Sequence, residues 1–468
     1  MSTLFRSRCR SSYFLIGPIT TVVLMLLTVP TSAQFYKQTN LVSDIPGLAA
    51  ITDPSLVNPW GVSFTDGSPF WVSNQGTNTA TLYSVNSSNV PTKVPLTVSV
   101  PGGPTGQVFN PTPDFKVPAG SPTAKAFFIF ATLGGQIRGW NPGVAATLAV
   151  LGGAGSPPPA VYTGLEMATR SAGPYLYAAN VAAGRIDVFD KNYVQVALPG
   201  TFTDPGLPPG NTPFNIANIG GRLYVTYSGP SGIVNVFDVD GNFVKRFATG
   251  GTLKNPWGMA LAPADFGTFS NALLIGNFNH GNPANGPGWI SAFDAATGAF
   301  LGLLRDDFAN IIAIDGLWSL KFGNGGNGGK PNYLYFSAGI QDEDHGLFGS
   351  LQLCHGPVIT NESADPNSLW PPNHKMVLIT VSYDVSDDCD PNPVCDLTVS
   401  SNEPPMGGGS GHTSPDWQVV DAHHVYLRAE RAGTGDGRVY TVTITCTDRM
   451  GLTSQKTVTV TVPHDKGK

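Results

Sequence analysis

Gly184-Arg-Ile-Asp-Val-Phe-Asp190 decides the fold, because close copies of this stretch recur along the chain. The clearest copies are Gly232-Ile-Val-Asn-Val-Phe-Asp238 and Gly288-Trp-Ile-Ser-Ala-Phe-Asp294, and looser ones begin at Thr79, Gly135 and His345. Each copy alternates apolar and polar residues with period two, which is typical of a half-buried antiparallel strand. Six such strands in one chain of 468 residues predict a closed all-β architecture.

Each copy is preceded by two further strand-like segments. The nearer is an apolar run such as Tyr175-Leu-Tyr-Ala178, and the farther is a short motif that recurs roughly every 40–60 residues. This spacing suits one four-stranded unit, so we predict a six-bladed β-propeller over residues 34–352. The last repeat stops after its third strand near Leu351, so the N-terminal segment Phe35–Val42 is expected to complete it.

Residues 1–33 have the pattern of a secretory signal peptide. Arg6, Arg8 and Arg10 precede an apolar run, and the small residues Thr31-Ser-Ala33 follow it. A retained membrane anchor is the alternative. Otherwise the protein is expected to be secreted or periplasmic, with no membrane span after signal removal. The chain beyond residue 33 has 23 basic and 32 acidic residues, which disfavours nucleic acid as a partner.

Residues 353–463 differ in composition, because Thr/Val alternation dominates and four cysteines appear. Strands are predicted at 377–385, 395–400, 425–429, 439–446 and 457–462, which indicates a small immunoglobulin-like β-sandwich followed by a polar tail at 464–468. The even number of cysteines in an exported chain predicts two disulfides. Three pairings are open, and Cys354–Cys389 with Cys395–Cys446 is favoured.

The motifs resemble those of known proteins. Asn58-Pro-Trp-Gly-Val62, Pro213-Phe-Asn-Ile216, Asn255-Pro-Trp-Gly-Met259 and Asp315-Gly-Leu-Trp318 resemble an uncharacterised family of exported bacterial six-bladed propellers. Leu369-Trp-Pro-Pro-Asn-His-Lys375 is similar to a motif of an immunoglobulin-like module found in many secreted bacterial proteins. The first resemblance implies no established reaction, and the second implies adhesion or spacing.

No sequence motif for catalysis is found: Gly-x-Ser-x-Gly, His-Glu-x-x-His and the Gly-Lys-Thr phosphate-binding loop are absent. Gly323-Asn-Gly-Gly-Asn-Gly-Gly329 lacks the Lys and the following helix that phosphate binding requires, so it is predicted to be a flexible blade loop. The polar residues predicted at one mouth of the propeller channel are the candidate ligand-binding residues. They are Asn58, Glu166, Asn180, Asn215, Asn255, Asn277, Asp315, Asp342 and His345. Trp60, Trp257 and Trp318 lie in the same loops and have a second interpretation, as packing between blades.

Two functions remain open. The first is a non-catalytic exported protein, expected to be a monomer, that binds an extracellular or periplasmic polymer, saccharide or protein and requires no cofactor. The second is a metal-dependent hydrolase or lyase of the gluconolactonase or streptogramin-lyase type, with Glu166, Asn215 and Asp315 as ligands of Ca²⁺. A separate group of acidic residues, Asp387, Asp388, Asp390 and Asp396, either holds Ca²⁺ or forms a solvated turn.

Overall fold

The computed structural model describes residues 34–117, 124–151, 159–278, 288–404 and 414–465. The predicted signal peptide and the last three residues of the predicted polar tail lie outside this part of the chain. The described residues form an all-β structure with one short 3-10 turn at Gly267–Phe269. The alternating segments identified in the sequence form its strands, which are antiparallel within each sheet except for the pairing of β1 (Tyr36–Ser43) with β2 (Ile51–Thr52).

The next strands form five sheets in chain order. Sheet 1 contains β3 (Pro59–Ser63), β4 (Phe70–Asn74), β5 (Thr79–Val85) and β6 (Pro91–Ser99). Sheet 2 contains β7 (Pro104–Phe109), β8 (Phe128–Thr132), β9 (Gln136–Trp140) and β10 (Thr147–Leu151), and sheet 3 contains β11 (Tyr162–Arg170), β12 (Gly173–Asn180) and β13 (Arg185–Phe189). Sheet 4 contains β14 (Thr212–Ile219), β15 (Arg222–Ser228), β16 (Ile233–Phe237) and β17 (Phe243–Thr249). Sheet 5 contains β18 (Pro256–Leu261), β19 (Ala272–Asn277), β20 (Ile290–Asp294) and β21 (Phe300–Leu303).

Sheet 6 joins the two ends of this region. It contains β22 (Leu317–Phe322), β23 (Leu334–Ala338) and β24 (Leu347–Leu353), and β1 lies beside β24. Tyr36 is opposite Leu353 and Ser43 is opposite Leu347, so the predicted completion of the last repeat by the N-terminal segment is confirmed. The Tyr36 side chain is fully buried, and its hydroxyl donates a hydrogen bond to the carbonyl oxygen of Phe266 at 2.9 Å.

The first strands of these sheets form a closed ring. Each contacts the next in the order β3, β7, β11, β14, β18, β22 and back to β3, which makes the fold propeller-like. Neighbouring strands approach closely at Gly106 and Gly164. A Cβ atom at Gly106 would collide with the backbone nitrogen of Leu165, and one at Gly164 would collide with the side chain of Asn215. Glycine is therefore required sterically at these positions.

The C-terminal strands form two antiparallel sheets around a separate core. One sheet has the order β25-β26-β29-β28 and the other β27-β30-β31. Their bounds are β25 (Val358–Asp365), β26 (Met376–Ser386), β27 (Val394–Ser401), β28 (Trp417–Val419), β29 (His424–Arg428), β30 (Gly437–Thr447) and β31 (Thr453–Pro463). Buried Ile379, Leu427 and Val442 pack in the core between the sheets.

Both favoured disulfides are confirmed. Cys354 is bonded to Cys389, and Cys395 is bonded to Cys446. Cys395 and Cys446 lie directly opposite each other on β27 and β30, so this bridge lies within one sheet. The two disulfides are compatible with an extracellular protein. Among the residues that the structure describes, no helix has both the length and the apolarity needed to cross a bilayer.

Candidate functional site

The two ends of the ring have different side chains. We call the end at which the six first strands begin the leading end, and the end at which they finish the trailing end. The leading end contains an aromatic cluster of Trp60, Phe214, Trp257, Trp318 and Phe278. The rings of Trp60 and Trp318 stack with centroids 3.5 Å apart, and Phe278 stacks on Trp318 at 3.8 Å. The tryptophans thus pack between strands, the second interpretation offered by the sequence.

Asn58 is a structural residue at the leading end. Its backbone φ of 44° is left-handed, a conformation that Asn tolerates better than most residues. Its side-chain oxygen accepts a hydrogen bond from Nε1 of Trp318 at 2.9 Å, and its Nδ2 donates to Gln75 at 2.8 Å and to Glu343 at 2.6 Å. Asn58 therefore orients the aromatic cluster, and its side chain is 2% exposed.

The other predicted asparagines also hydrogen-bond to the protein itself. Asn180 Nδ2 donates to Asp187 at 2.8 Å, and Asn215 Nδ2 donates to the carbonyl of Trp257 at 2.8 Å. Asn255 accepts from the backbone nitrogen of Gly229 at 3.3 Å. Asn277 accepts from the backbone nitrogen of Lys254 at 2.7 Å. These amides fix loops and strands at the places where the sequence predicted ligand contacts.

The predicted acids and histidine near the leading end have separate partners. Asp315 accepts a hydrogen bond from the backbone nitrogen of Gln341 at 2.8 Å. Asp342 lies in a left-handed turn with φ of 58°. Nδ1 of His345 lies 2.7 Å from an Asp44 carboxylate oxygen. Asp315 and His345 thus have partners within the protein, and Asp342 lies in a turn.

A polar pocket lies at the trailing end. We define the trailing pocket by Ser63, Phe64, Gln107, Phe109, Glu166 and Lys321, which line a cavity of about 330 Å³. Glu166 and Lys321 also line a second cavity of about 340 Å³. A third cavity of about 70 Å³ is lined by the same two residues and by Asn215. The sequence predicted Glu166 among the leading-end loops with Asn58. The structure places it in the middle of β11, because that strand extends to Arg170.

Two polar atoms of the trailing pocket are buried without a hydrogen-bond partner in the described protein. They are Oγ of Ser63 and Oε1 of Gln107. Nε2 of Gln107 donates to the carbonyl oxygens of Gly61 and Trp71, both at 2.7 Å, so the orientation of the amide is fixed. With its nitrogen engaged in this way, Gln107 holds its Oε1 as a buried acceptor behind the wall of the pocket.

Glu166 and Lys321 give the pocket its charges. Glu166 is half-buried and accepts hydrogen bonds from the backbone nitrogens of Met167 at 2.8 Å and Asn218 at 3.1 Å. Burial raises the pKa of Glu166, and the positive charge of Lys321 opposes this increase. Lys321 is exposed, and its Nζ lies 5.6 Å from the centroid of the Phe64 ring. The pocket thus offers an anionic acceptor, a cationic donor and an aromatic wall.

The three predicted metal ligands are distributed between the two ends. Glu166 and Asn215 line one cavity wall, whereas Asp315 hydrogen-bonds within a leading-end loop.

The acidic group of the C-terminal sheets lies near Asp448. Burial and the charges of Asp387 and Asp390 raise the pKa of Asp448. Across the described ranges, no group of three or more His, Cys, Asp or Glu side chains is arranged to hold a metal ion.

Sequence comparison identifies the family of the chain. It is 30% identical over 350 residues to "Uncharacterized protein R648" of Acanthamoeba polyphaga mimivirus, a match that covers 69% of this chain and 81% of that protein. It is also 30% identical over 346 residues to "Uncharacterized protein L690" of the same virus, covering 68% and 85%. The chain belongs to the family of these viral proteins, and the predicted bacterial origin is not shown by them. No protein-family model matches the chain.

Solved structures provide more distant similarities. A protein of unknown function from Bacteroides thetaiotaomicron is 12% identical with a TM-score of 0.45, covering 69% of this chain and 76% of its own. A streptogramin B lyase is 12% identical with a TM-score of 0.35, covering 68% and 98%. A PQQ-bound aldose sugar dehydrogenase from Streptomyces coelicolor is 14% identical with a TM-score of 0.38, covering 69% and 99%.

Proposed function

We propose that this protein is an exported, non-catalytic binding protein that holds a saccharide unit in the trailing pocket. In this proposal, residues 34–352 act as a six-bladed propeller and residues 353–463 as an immunoglobulin-like module that spaces or anchors it. The ring order of the first strands and the separate C-terminal core support this organisation. Export is supported by the sequence of residues 1–33 and by the two disulfides.

The single observation that carries the proposal is the cavity in which the Glu166 carboxylate, the Lys321 ammonium group and the Phe64 ring lie together. Hydrogen bonds to charged groups contribute about 1.5–3 kcal/mol each, so a ligand with several hydroxyl groups gains affinity from this pair of charges. Sugar hydroxyls can donate to the Glu166 carboxylate, and they can accept from Lys321. Phe64 adds an apolar surface for a sugar ring.

The cavity size fits this ligand class. Small-molecule sites have volumes of about 300–1,000 Å³, and the trailing pocket lies at the small end of that range. The cavity that shares Glu166 and Lys321 provides a second adjoining volume. One sugar unit can therefore occupy the trailing pocket while the rest of a polymer continues outward.

Titration calorimetry of the purified chain with glucose, N-acetylglucosamine and glucuronic acid tests the proposal. We expect at least one sugar to bind with a Kd on the order of 1 mM or tighter. Glu166→Gln and Lys321→Met should each weaken binding about tenfold, because each removes a charged hydrogen-bonding group. Asp315→Asn, the matched isosteric change at the leading end, should leave binding unchanged. Equal losses for Glu166→Gln and Asp315→Asn would contradict the assignment to the trailing end.

Calcium remains the cation proposed for the metal-dependent alternative with Glu166, Asn215 and Asp315. Calorimetry with CaCl2 alone tests it directly. Ca²⁺ binding that both Glu166→Gln and Asp315→Asn abolish would favour that alternative and require these two residues to converge on one ion.

A further inference from the structure

Sheet 3 has an open edge. Within the described residues it contains three strands, whereas its neighbour sheet 4 contains four. After β13 the chain turns back and pairs only briefly, through a bridge between Phe189 and Gln195 and a hydrogen bond from the nitrogen of Val196 to the oxygen of Val188 at 2.9 Å. The half of β13 that contains Ile186 therefore lacks a fourth strand.

Equivalent strands in other sheets show what this position normally contacts. Ile186 aligns with Val234 of sheet 4 and Ile290 of sheet 5 in the repeated motif. Val234 is opposite Ala248 of β17, and the carbonyl of Ile290 accepts from the nitrogen of Leu304 at 3.1 Å. Val188 directs its carbonyl to the open edge, so Ile186, two residues away, directs its N–H and C=O there too. In the described chain, no backbone group is hydrogen-bonded to Ile186 on that edge.

A cavity of about 340 Å³ lies beside this edge. Ile186, Val188, Leu198 and Phe202 contribute apolar surface to it. The segment that could have closed the gap is held against sheet 4 instead. The nitrogen of Gly200 donates to the oxygen of Asp240 at 2.9 Å, and the nitrogen of Phe202 donates to the oxygen of Gly241 at 3.0 Å.

We propose that this open edge binds an extended peptide segment of a partner protein, which adds to β13 as an antiparallel fourth strand. The partner segment would present an aliphatic side chain opposite Ile186. The fourth strands of this chain supply the template, since they place Val98 opposite Ala80, Val150 opposite Ile137 and Ala248 opposite Val234. In strand addition, main-chain hydrogen bonds provide affinity, and side chains in adjoining pockets provide specificity.

The binding experiment uses the full chain and three fluorescent peptides copied from β6, β10 and β17. We expect at least one peptide to bind in fluorescence anisotropy and to slow hydrogen exchange at the Ile186 amide at least tenfold. The Val234 amide, already covered by β17, is the internal control and should not change. If no peptide slows exchange at Ile186, the proposal is overturned.

Two matched changes locate the bound peptide. N-methylation of the residue equivalent to Val98, Val150 or Ala248, in whichever peptide binds, should weaken binding about tenfold, because it removes a ladder hydrogen bond. Ala197→Trp, which fills the cavity, should do the same, whereas Ala296→Trp on an exposed turn of sheet 5 should not. Retention of wild-type affinity after both the N-methylation and Ala197→Trp would overturn the site. Melting temperatures of the two tryptophan variants show whether each remains folded.

Discussion

At the leading end of the ring, Trp60, Trp257 and Trp318 fill the space between strands, and Asn58 hydrogen-bonds to the indole of Trp318. At the trailing end, the same strands leave a cavity with Glu166 and Lys321 on its wall. The difference shows how one scaffold separates two tasks. Large side chains fill one end of the ring, and the other end keeps a cavity lined by charged side chains.

The largest expected effect is on stability, from a change at the leading end. Trp318→Ala removes a side chain that is 1% exposed and stacked on two aromatic rings, so we expect a loss of about 3–5 kcal/mol in the free energy of unfolding. Urea denaturation followed by tryptophan fluorescence measures this loss. Val144→Ala, at a position 74% exposed, is the control and should change little. A loss below about 1 kcal/mol for Trp318→Ala would mean that the cluster does not close the ring.

A smaller loss is expected for a residue that the sequence predicted to bind ligand. Asn58→Ala removes the acceptor of the Trp318 indole nitrogen, and we expect a loss of about 1–3 kcal/mol in stability. The same denaturation experiment measures it, and calorimetry with the best-binding sugar should show unchanged affinity. A variant that kept full stability but lost sugar binding would transfer the site to the leading end.

The pH dependence of Glu166 gives a third, smaller effect. Its folded pKa is raised, so its stabilising contribution is fully present below the unfolded value of about 4.3 and is lost as pH rises through the folded value. Glu166→Gln has no ionisable group at this position, so its stability does not fall in this way as pH rises. We expect the variant to melt above the wild type at neutral pH and the difference to shrink below about pH 4. Calorimetric melting across this range checks the sign, and a variant less stable than the wild type at neutral pH would show that the carboxylate hydrogen bonds outweigh burial.

The smallest effect is expected from Ser63→Ala. Its buried hydroxyl has no protein partner, so removing it should not destabilise the protein and should stabilise it by about 1 kcal/mol. Sugar affinity should not change, because the hydroxyl is buried behind the pocket wall. Thermal melting and calorimetry on one sample separate the two effects. A large stability loss would show that Ser63 has a packing role. Packing would then determine stability at the trailing end as well as at the leading end.

The strands of the ring were predictable because the third strand of each repeat alternates apolar and polar residues. The expected half-burial is wrong for strands such as β16, which is buried on both faces because its polar Asn235 hydrogen-bonds to Asp204. The unfinished last repeat likewise led to the correct pairing of β1 with β24. Short outer strands such as β28 were missed, because three residues at an edge have too little alternation to be recognised. Whether residues 353–463 form an independent domain stays a prediction.

The site was harder to predict, because the sequence identifies a polar residue without showing which end of its strand the residue lies near. Glu166 lies two residues after Gly164, and Lys321 lies two residues after Ser319, at matching positions of their motifs. Aligning the six motifs residue by residue would have placed Glu166 and Lys321 at the same end of the ring. The role of Gln107 depends on hydrogen bonds to Gly61 and Trp71, which no local pattern reveals.

The pairing of β1 with β24 also has a consequence for how the protein is made. Tyr36 belongs to the first of the described strands, and its partner Leu353 is added only after the other five sheets. A growing chain therefore carries β1 without its β24 partner until Leu353 has been added. Such late, long-range pairing slows folding and leaves an edge open to wrong partners. Deleting residues 36–43 would consequently leave β24 as an unpaired edge of sheet 6.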